Sequence, residues 1–182
     1  MSIESVQLRI AAISQFAGVP RSASPARATA SFDRALQDAL GASETGSVTA
    51  AGVPTDLARY GNGRIPANAL VQVGQTGHRM WAPAATALTR LIDDAARAGV
   101  AIGVTDSYRS YDSQVQVAQE KGLYRNGGLA ATPGTSTHGW GRSADLDLSP
   151  RALAWMREHG SKYGFVADVP RESWHWTYSP SP

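Results

Sequence analysis

The amino-acid composition of this 182-residue chain changes at about residue 55, and this change limits where a sizeable hydrophobic core can form. Before that point, residues 19–30 and 42–54 are rich in small residues and proline, which is typical of flexible linkers. After it, aromatic residues, glycines and long apolar stretches appear. We therefore predict a helical and flexible tail over residues 1–54 and one folded domain over residues 55–182.

Two short helices are predicted within this tail. Apolar residues recur at spacings of three and four over residues 3–17, and a second apolar face runs from Phe32 to Leu40. Gly18 and Gly41 follow these stretches and are typical helix ends. The helices are interpreted either as a loosely packed tail or as an element for docking or self-association. The shortness of the apolar stripe favours the first interpretation.

Composition excludes several classes of protein. The chain has no cysteine, which excludes disulfides, iron–sulfur clusters and thiolate zinc sites, so a metal must be held by His, Asp or Glu. The net charge is +2, and no basic run with interleaved aromatic residues is present, so we expect no nucleic-acid partner. No apolar run approaches the roughly 18 to 20 residues of a membrane-spanning helix.

The periodicity beyond residue 55 predicts an α+β fold. Helices are predicted at 83–98, 111–121 and 150–159, and strands at 70–73, 100–105, 144–148 and 174–178. These elements do not alternate regularly, which favours a small, mostly antiparallel sheet flanked by helices.

A candidate metal site begins at His138, which ends a glycine-rich loop. Asp145 follows on a predicted strand, where alternation places it on the same face as Asp147. His and Asp alone would also fit a solvated edge strand. The segment E-S-W-H-W adds His175, with Glu172 three residues before it. Two His, one Asp, an open fourth position and a nearby Glu form the arrangement that a catalytic zinc needs.

Two further residues carry candidate chemistry. Glu172 is suited to take a proton from the attacking water and to deliver it to the leaving amine. Arg109 follows the predicted strand at 100–105, where its guanidinium can reach the metal site. It would either stabilise an oxyanion or bind a substrate carboxylate, and the sequence leaves both roles open.

Three motifs resemble the zinc D-Ala-D-Ala carboxypeptidases of the VanY type. They are Y-R-S-Y-x-x-Q at 108–114, P-G-T-S-x-H-G-W-G at 133–141 with Asp145, and E-S-W-H-W at 172–176. The motifs occur in the family's order, and the resemblance covers roughly residues 60–179. One departure is Ser143, where the family usually carries Ala, and we expect this small residue to be tolerated.

The resemblance implies a fold shared with other zinc peptidases of peptidoglycan and with hedgehog-type domains. It implies Zn²⁺ held by His138, Asp145 and His175, with Glu172 as the catalytic base. It also implies that Arg109, Gln114 and Ser136 surround the substrate carboxylate or the oxyanion. Tyr108 and Trp174 complete the candidate substrate contacts. Alternation over 174–178 also predicts that Trp174, Trp176 and Tyr178 face away from His175, into the core.

The predicted function is cleavage of D-Ala-containing stem peptides of peptidoglycan by a zinc metallopeptidase, in the manner of a D-alanyl-D-alanine carboxypeptidase. Two alternatives stay open: an endopeptidase that cuts within the stem or the cross-link, and a non-catalytic module that keeps a structural zinc. Glu172 and Arg109 argue against the second, because a structural site needs neither. We expect action at the bacterial cell wall, although the N-terminal residues lack the basic and apolar regions of a standard secretory signal.

Overall fold

The structure is a computed structural model that describes residues 46–179. These residues contain three helices, α1 (Ala82–Arg97), α2 (Tyr111–Lys121) and α3 (Pro150–His159). They also contain six strands: β1 (Val71–Gln72), β2 (Arg79–Met80), β3 (Gly103–Asp106), β4 (Ser143–Asp147), β5 (Phe165–Val166) and β6 (His175–Tyr178). The predicted bounds of α2 and α3 are confirmed, and the other predicted elements shift by one to three residues.

Both sheets are antiparallel, which confirms the α+β class. Strands β1 and β2 form a two-stranded ribbon, and the main sheet has the order β3-β4-β6-β5. In the main sheet, Asp145 is the register partner of His175, and Ala144 is the partner of Trp176. The short strands β2 and β5 were not predicted, since two residues carry no measurable alternation.

Helices α1 and α3 form from signals that the sequence carries plainly. Helix α1 has Pro83 in its first turn and buries one apolar stripe that includes Leu88 and Leu91. Helix α3 starts at Ser149, whose side chain accepts a hydrogen bond from the backbone N–H of Ala152. These stripes share one apolar core with the inward face of the main sheet.

The aromatic residues in and next to strand β6 differ in their burial. Trp176 and Tyr178 are 4% and 7% exposed, in agreement with the predicted alternation. Trp174 is 39% exposed, so its assignment to the core was wrong. The physical reason is that β6 begins at His175, which leaves Trp174 outside the alternating strand.

Residues 46–54 pack against the domain, although the sequence indicated a linker over 42–54. Val48 and Pro54 form an isolated antiparallel bridge, and Pro54 is fully buried. The carbonyl of Gly52 accepts a hydrogen bond of 2.7 Å from Nη1 of Arg142. Gly52 has a φ of 72°, a conformation that favours glycine, and an added Cβ would meet the Arg142 guanidinium at 2.3 Å.

The two helices predicted in the tail lie outside the described residues. Among residues 46–179, no helix is both long and apolar enough to cross a membrane.

Candidate metal centre and active site

Three predicted ligand side chains converge at one end of the main sheet. Nδ1 of His175 lies 3.0 Å from Oδ1 of Asp145, and Nε2 of His138 lies 3.1 Å from that same nitrogen. Nε2 of His138 and Oδ1 of Asp145 are 3.3 Å apart. His138 comes from the 3₁₀ turn Thr137–Trp140, immediately before β4. Strands β4 and β6 and the turn before β4 therefore bring three possible metal-ligand atoms to one point.

The geometry of these donors suits a zinc ion. Ligands about 2.0–2.1 Å from a tetrahedral zinc lie about 3.3 Å from one another. The three separations in the structure, 3.0, 3.1 and 3.3 Å, come close to that value. Both histidines are buried, while the Asp145 side chain is 18% exposed toward a cavity. Two imidazoles and one carboxylate leave a fourth tetrahedral position, as a catalytic zinc requires.

Hydrogen bonds behind the histidines fix which ring nitrogen faces the centre. Nδ1 of His138 donates to the carbonyl of Ser107 at 2.7 Å, and since a carbonyl only accepts, Nε2 is left free as a ligand. Nε2 of His175 lies 3.2 Å from the Thr177 hydroxyl, which itself donates to Asp168. Because the Thr177 hydroxyl gives its proton to Asp168, Nε2 of His175 must donate to that hydroxyl, and Nδ1 of His175 is left free as a ligand.

The environment of Asp145 favours its ionised form. Burial alone would raise the pKa of this carboxyl group, but before a metal binds, when the facing nitrogens of His138 and His175 can carry protons, hydrogen bonds from these rings outweigh burial and hold the pKa well below its usual range. Asp145 is therefore an anionic ligand beside two imidazoles.

Arg109 lies directly behind Asp145. Its Nε and Nη2 groups donate to the carboxylate of Asp106, and Nη2 also lies 3.4 Å from Oδ2 of Asp145. Nη1 donates to Oε1 of Gln114 at 2.8 Å. The side chain is only 12% exposed, so these contacts are shielded from water. Arg109 thus joins β3, α2 and the metal centre.

Glu172 lines the same cavity as the ligand cluster and is 5% exposed. Its Oε1 accepts a hydrogen bond of 3.0 Å from the hydroxyl of Tyr124, a contact that sequence reasoning missed. Partial burial of the phenol, together with its hydrogen bond to Glu172, raises the pKa of Tyr124 well above its ordinary value, so this phenol stays protonated. The cavity has a volume of about 210 Å³.

Among the remaining residues predicted to contact the substrate, some line the cavity and others are bonded within the protein. Ser136 and Trp174 line the cavity, as does the unpredicted Lys121. Gln114 is 2% exposed, and its amide nitrogen donates to the carbonyl of Ala131, so both ends of its side chain are already bonded within the protein.

Tyr108 and Asp147 lie away from the cavity. The Tyr108 hydroxyl accepts a hydrogen bond from the backbone N–H of Ile65, and its side chain lines a different cavity. Asp147 pairs with Gly103 at the far end of β4 and is exposed. Neither is brought to the metal centre, since the turn after β3 and the length of β4 separate them from it.

Several of the supporting contacts carry no sequence signal. The Ser107 carbonyl is a backbone group, and Tyr124 belongs to a loop whose path the sequence does not specify. Asp106 had a weak signal, because it lies three residues before Arg109 and is the last residue of β3.

Comparison with known proteins agrees with this arrangement. The VanY D-alanyl-D-alanine carboxypeptidase family matches residues 77–181, which include all three candidate ligands and Glu172. No curated protein matches the chain. A vancomycin-resistance D,D-pentapeptidase VanY mutant in complex with Zn(II) is 26% identical, with a TM-score of 0.52, covering 63% of this chain and 82% of that one.

Two other solved structures are similar. VanYB in complex with D-alanine-D-alanine is 26% identical with a TM-score of 0.52, covering 63% of this chain and 80% of that one. The D,D-dipeptidase VanXYg with a D-Ala-D-Ala phosphinate analogue is 22% identical with a TM-score of 0.53, covering 66% and 60%, and supports the fold alone. Since the family match spans more than half of the sequence, the chain belongs to the VanY family of D-alanyl-D-alanine carboxypeptidases.

Proposed function

We propose that this protein is a D-alanyl-D-alanine carboxypeptidase that removes the terminal D-alanine from peptidoglycan stem peptides. The coarser assignment follows from family membership: the chain is a zinc-dependent peptidase that acts on peptidoglycan. The observation that supports the finer proposal is the convergence of His138, Asp145 and His175 in the cavity that also contains Glu172.

His138, Asp145 and His175 would hold the zinc. When bound, zinc supplies a Lewis acid that polarises the peptide carbonyl and lowers the pKa of water. The protein's contribution is an anionic carboxylate, two oriented imidazoles and a cavity beside them.

Glu172 is proposed as the group that moves the proton. Its Oε1 is occupied by the Tyr124 hydroxyl, which leaves Oε2 to accept a proton from the attacking water. Hydrolysis breaks the amide C–N bond, and the same proton then passes from Glu172 to the departing nitrogen. The products are a shortened peptide carboxylate and free D-alanine.

Arg109 is proposed mainly as support for the ligand Asp145. Of its five N–H donors, those toward Asp106, Asp145 and Gln114 are already used. One N–H at Nη1 remains for a substrate oxygen, so Arg109 offers a single hydrogen bond rather than a two-pronged clamp.

Lys121 is proposed to pair with the C-terminal carboxylate of the substrate. It lines the cavity at the end of α2, and no acidic side chain among the described residues forms an ion pair with it. Arg109, the other cationic side chain of the cavity, is already paired with Asp106 and Asp145. Ser136 adds a hydroxyl group to the cavity wall.

The division into a tail over 1–54 and a peptidase domain over 55–182 stays a proposal, with residues 46–54 packed against the domain. Action on peptidoglycan implies that the protein works at the cell wall, and we propose a periplasmic or extracellular location.

The test is digestion of purified muropeptides by the zinc-loaded protein, with mass spectrometry of the products. Loss of one terminal D-alanine from pentapeptide stems is expected, and the Glu172→Gln variant should release almost none. A cut within the stem or the cross-link would assign an endopeptidase instead. No cleavage of any muropeptide by a protein that retains zinc would indicate a binding module.

A further inference from the structure

We propose that Tyr124 is a positioning residue that holds Glu172 in its working orientation, an inference that rests on the proposed function of Glu172 as the proton carrier. The Tyr124 hydroxyl lies 3.0 Å from Oε1 of Glu172, and both side chains line the cavity of the ligand cluster. The contact crosses between two loops that are 48 residues apart in sequence. It is the one side-chain hydrogen bond to Glu172 that the described residues form.

The direction of this hydrogen bond is fixed by chemistry. An ionised carboxylate only accepts, so the phenol must donate its proton. Tyr124 is 36% exposed, and the partial burial of its phenol and its contact with Glu172 both raise the pKa of the phenol, which keeps that proton in place. With Oε1 held, rotation about the last side-chain bond of Glu172 is restricted, and Oε2 keeps one direction.

The loop that carries Tyr124 is itself attached to the segment that carries Glu172. The backbone N–H of Tyr124 donates to the carbonyl of Ala130 at 2.8 Å, which closes the loop. Nη2 of Arg171 donates to the carbonyl of Gly128 at 3.0 Å, so a second contact joins the two segments one residue from Glu172. Tyr124 is therefore placed by one backbone hydrogen bond and by the Arg171 side chain, and neither contact depends on the Glu172 carboxylate.

The backbone of Glu172 is fixed separately. Its N–H donates to the carbonyl of Val169, and its carbonyl accepts from the N–H of His175. These bonds locate the α-carbon of Glu172 but leave its carboxylate free to rotate. Tyr124 supplies the missing constraint on the carboxylate.

The first experiment replaces Tyr124 with Phe and measures steady-state cleavage of a D-Ala-D-Ala-terminated peptide. We expect kcat to fall roughly 10- to 100-fold, the size of a lost hydrogen bond to a charged group, with little change in KM. The matched control is Tyr60→Phe, because the Tyr60 hydroxyl bonds only to the exposed Arg59 in the described residues and lies outside the cavity. Zinc content and melting temperature should stay at wild-type values in both variants.

A double-mutant cycle with Glu172→Ala separates positioning from a direct effect on the substrate. If Tyr124 acts through Glu172, the Phe substitution should cost nothing further in the Glu172→Ala background. An equal loss in both backgrounds would overturn the proposal, because Tyr124 would then act on the substrate itself. Arg171→Ala should also lower kcat, but by less than Tyr124→Phe, since it loosens the loop that carries Tyr124 without removing the Tyr124 hydroxyl.

A readout without turnover keeps this inference separate from the proposed function. The side-chain carboxylate carbon of Glu172, assigned in a carbon-13 NMR spectrum by its loss in Glu172→Gln, should change its chemical shift in Tyr124→Phe and keep it in Tyr60→Phe. An unchanged shift in Tyr124→Phe would overturn the inference even in an active enzyme. If the wild type cleaves no muropeptide, the proposed function fails, while a changed shift would still support the contact.

Discussion

Asp145 and His175 are register partners on the adjacent antiparallel strands β4 and β6, and their side chains meet at 3.0 Å. Two of the three candidate ligands are thus fixed by the same backbone pairing that builds the main sheet. The third, His138, is attached to that sheet as well, because the buried Ser143 hydroxyl at the start of β4 donates to Thr137 next to it. The centre is therefore preorganised by the sheet, and Ser143 adds a contact that an alanine there would lack.

Zinc binding should depend on each of the three ligands. We expect His138→Ala and His175→Ala to lose most of their zinc after dialysis, as measured by elemental analysis, because two remaining ligands hold zinc weakly. Asp147→Asn is the matched control, since Asp147 lies on the same strand but is exposed at its far end. Full zinc occupancy in either histidine variant would contradict the ligand assignment.

Glu172→Gln should retain zinc and lose about 10²- to 10⁴-fold in kcat, the usual contribution of a general acid–base group. The amide has nearly the shape of the carboxylate and still accepts from Tyr124, so the fold should be preserved. Turnover of a dipeptide-terminated substrate, together with zinc analysis and melting temperature, checks this. Half of the wild-type rate in this variant would mean that another group moves the proton.

Arg109→Lys should impair the enzyme almost as much as Arg109→Ala. One ammonium group cannot replace the planar guanidinium that bonds Asp106, Gln114 and Asp145 together. The partner groups left unpaired should cost about 1–3 kcal/mol in the free energy of unfolding, visible in denaturant titration.

The matched control for Arg109 is Arg97→Lys, an exposed pair with Asp94 that should contribute at most about 1 kcal/mol. If Arg109→Lys shows wild-type stability and kinetics, then Arg109 acts only through its positive charge.

The sequence predicted the helices well because those signals are local, and the three residues that it proposed as ligands lie together in the structure. Capping residues define both ends of α2 and α3, and α3 also has an apolar face, while the motif residues His138, Asp145 and His175 carry chemistry that few structural roles require. The strand predicted over 100–105 was less accurate, because Val100 and Ile102 are buried without pairing to β4 and only Gly103–Asp106 joins that strand.

The site residues that the sequence did not indicate are placed by contacts between segments that are distant along the chain. Tyr124 meets Glu172 across 48 residues, and no local pattern marks such a contact. Tyr108 and Gln114 show the converse: motif membership suggested substrate contacts, while the structure uses their polar atoms to bond Ile65, Ala131 and Arg109. A motif identifies which residues matter at a site but not which of them face its cavity.

The boundary of the stable domain should lie before residue 46 rather than at residue 55. A chain that begins at residue 46 should keep the wild-type melting temperature and activity on small peptides. A chain that begins at residue 55 loses the buried Pro54 and the Gly52 carbonyl that accepts from Arg142. Because Arg142 is itself buried, we expect this shorter chain to unfold several degrees earlier. Equal melting temperatures for the two truncations would show that residues 46–54 contribute nothing to stability.

Lys121→Met should weaken binding of substrates that end in a free carboxylate. Methionine keeps the length and apolar contacts of the side chain but removes the charge, so KM should rise by about 5- to 70-fold, the range of one charge-assisted hydrogen bond of about 1–2.5 kcal/mol. The value of kcat should change little, because the carboxylate is bound equally in the ground state and the transition state.

Comparison with a second substrate that lacks the C-terminal carboxylate makes this prediction specific to that group. The same peptide with a C-terminal amide should be a poor substrate for the wild type, and Lys121→Met should affect its KM hardly at all, because the group that Lys121 would pair with is already absent. The control variant is Lys162→Met: the Lys162 ammonium lies 3.1 Å from Nδ1 of His159 at the end of α3, and Lys162 lines no part of the cavity. If Lys121→Met raises KM equally for the acid and the amide, then Lys121 only shapes the cavity wall. If it leaves both unchanged, the C-terminal carboxylate must instead be held by Ser136 and the remaining N–H of Arg109, and the charge of Lys121 is irrelevant to the choice of substrate.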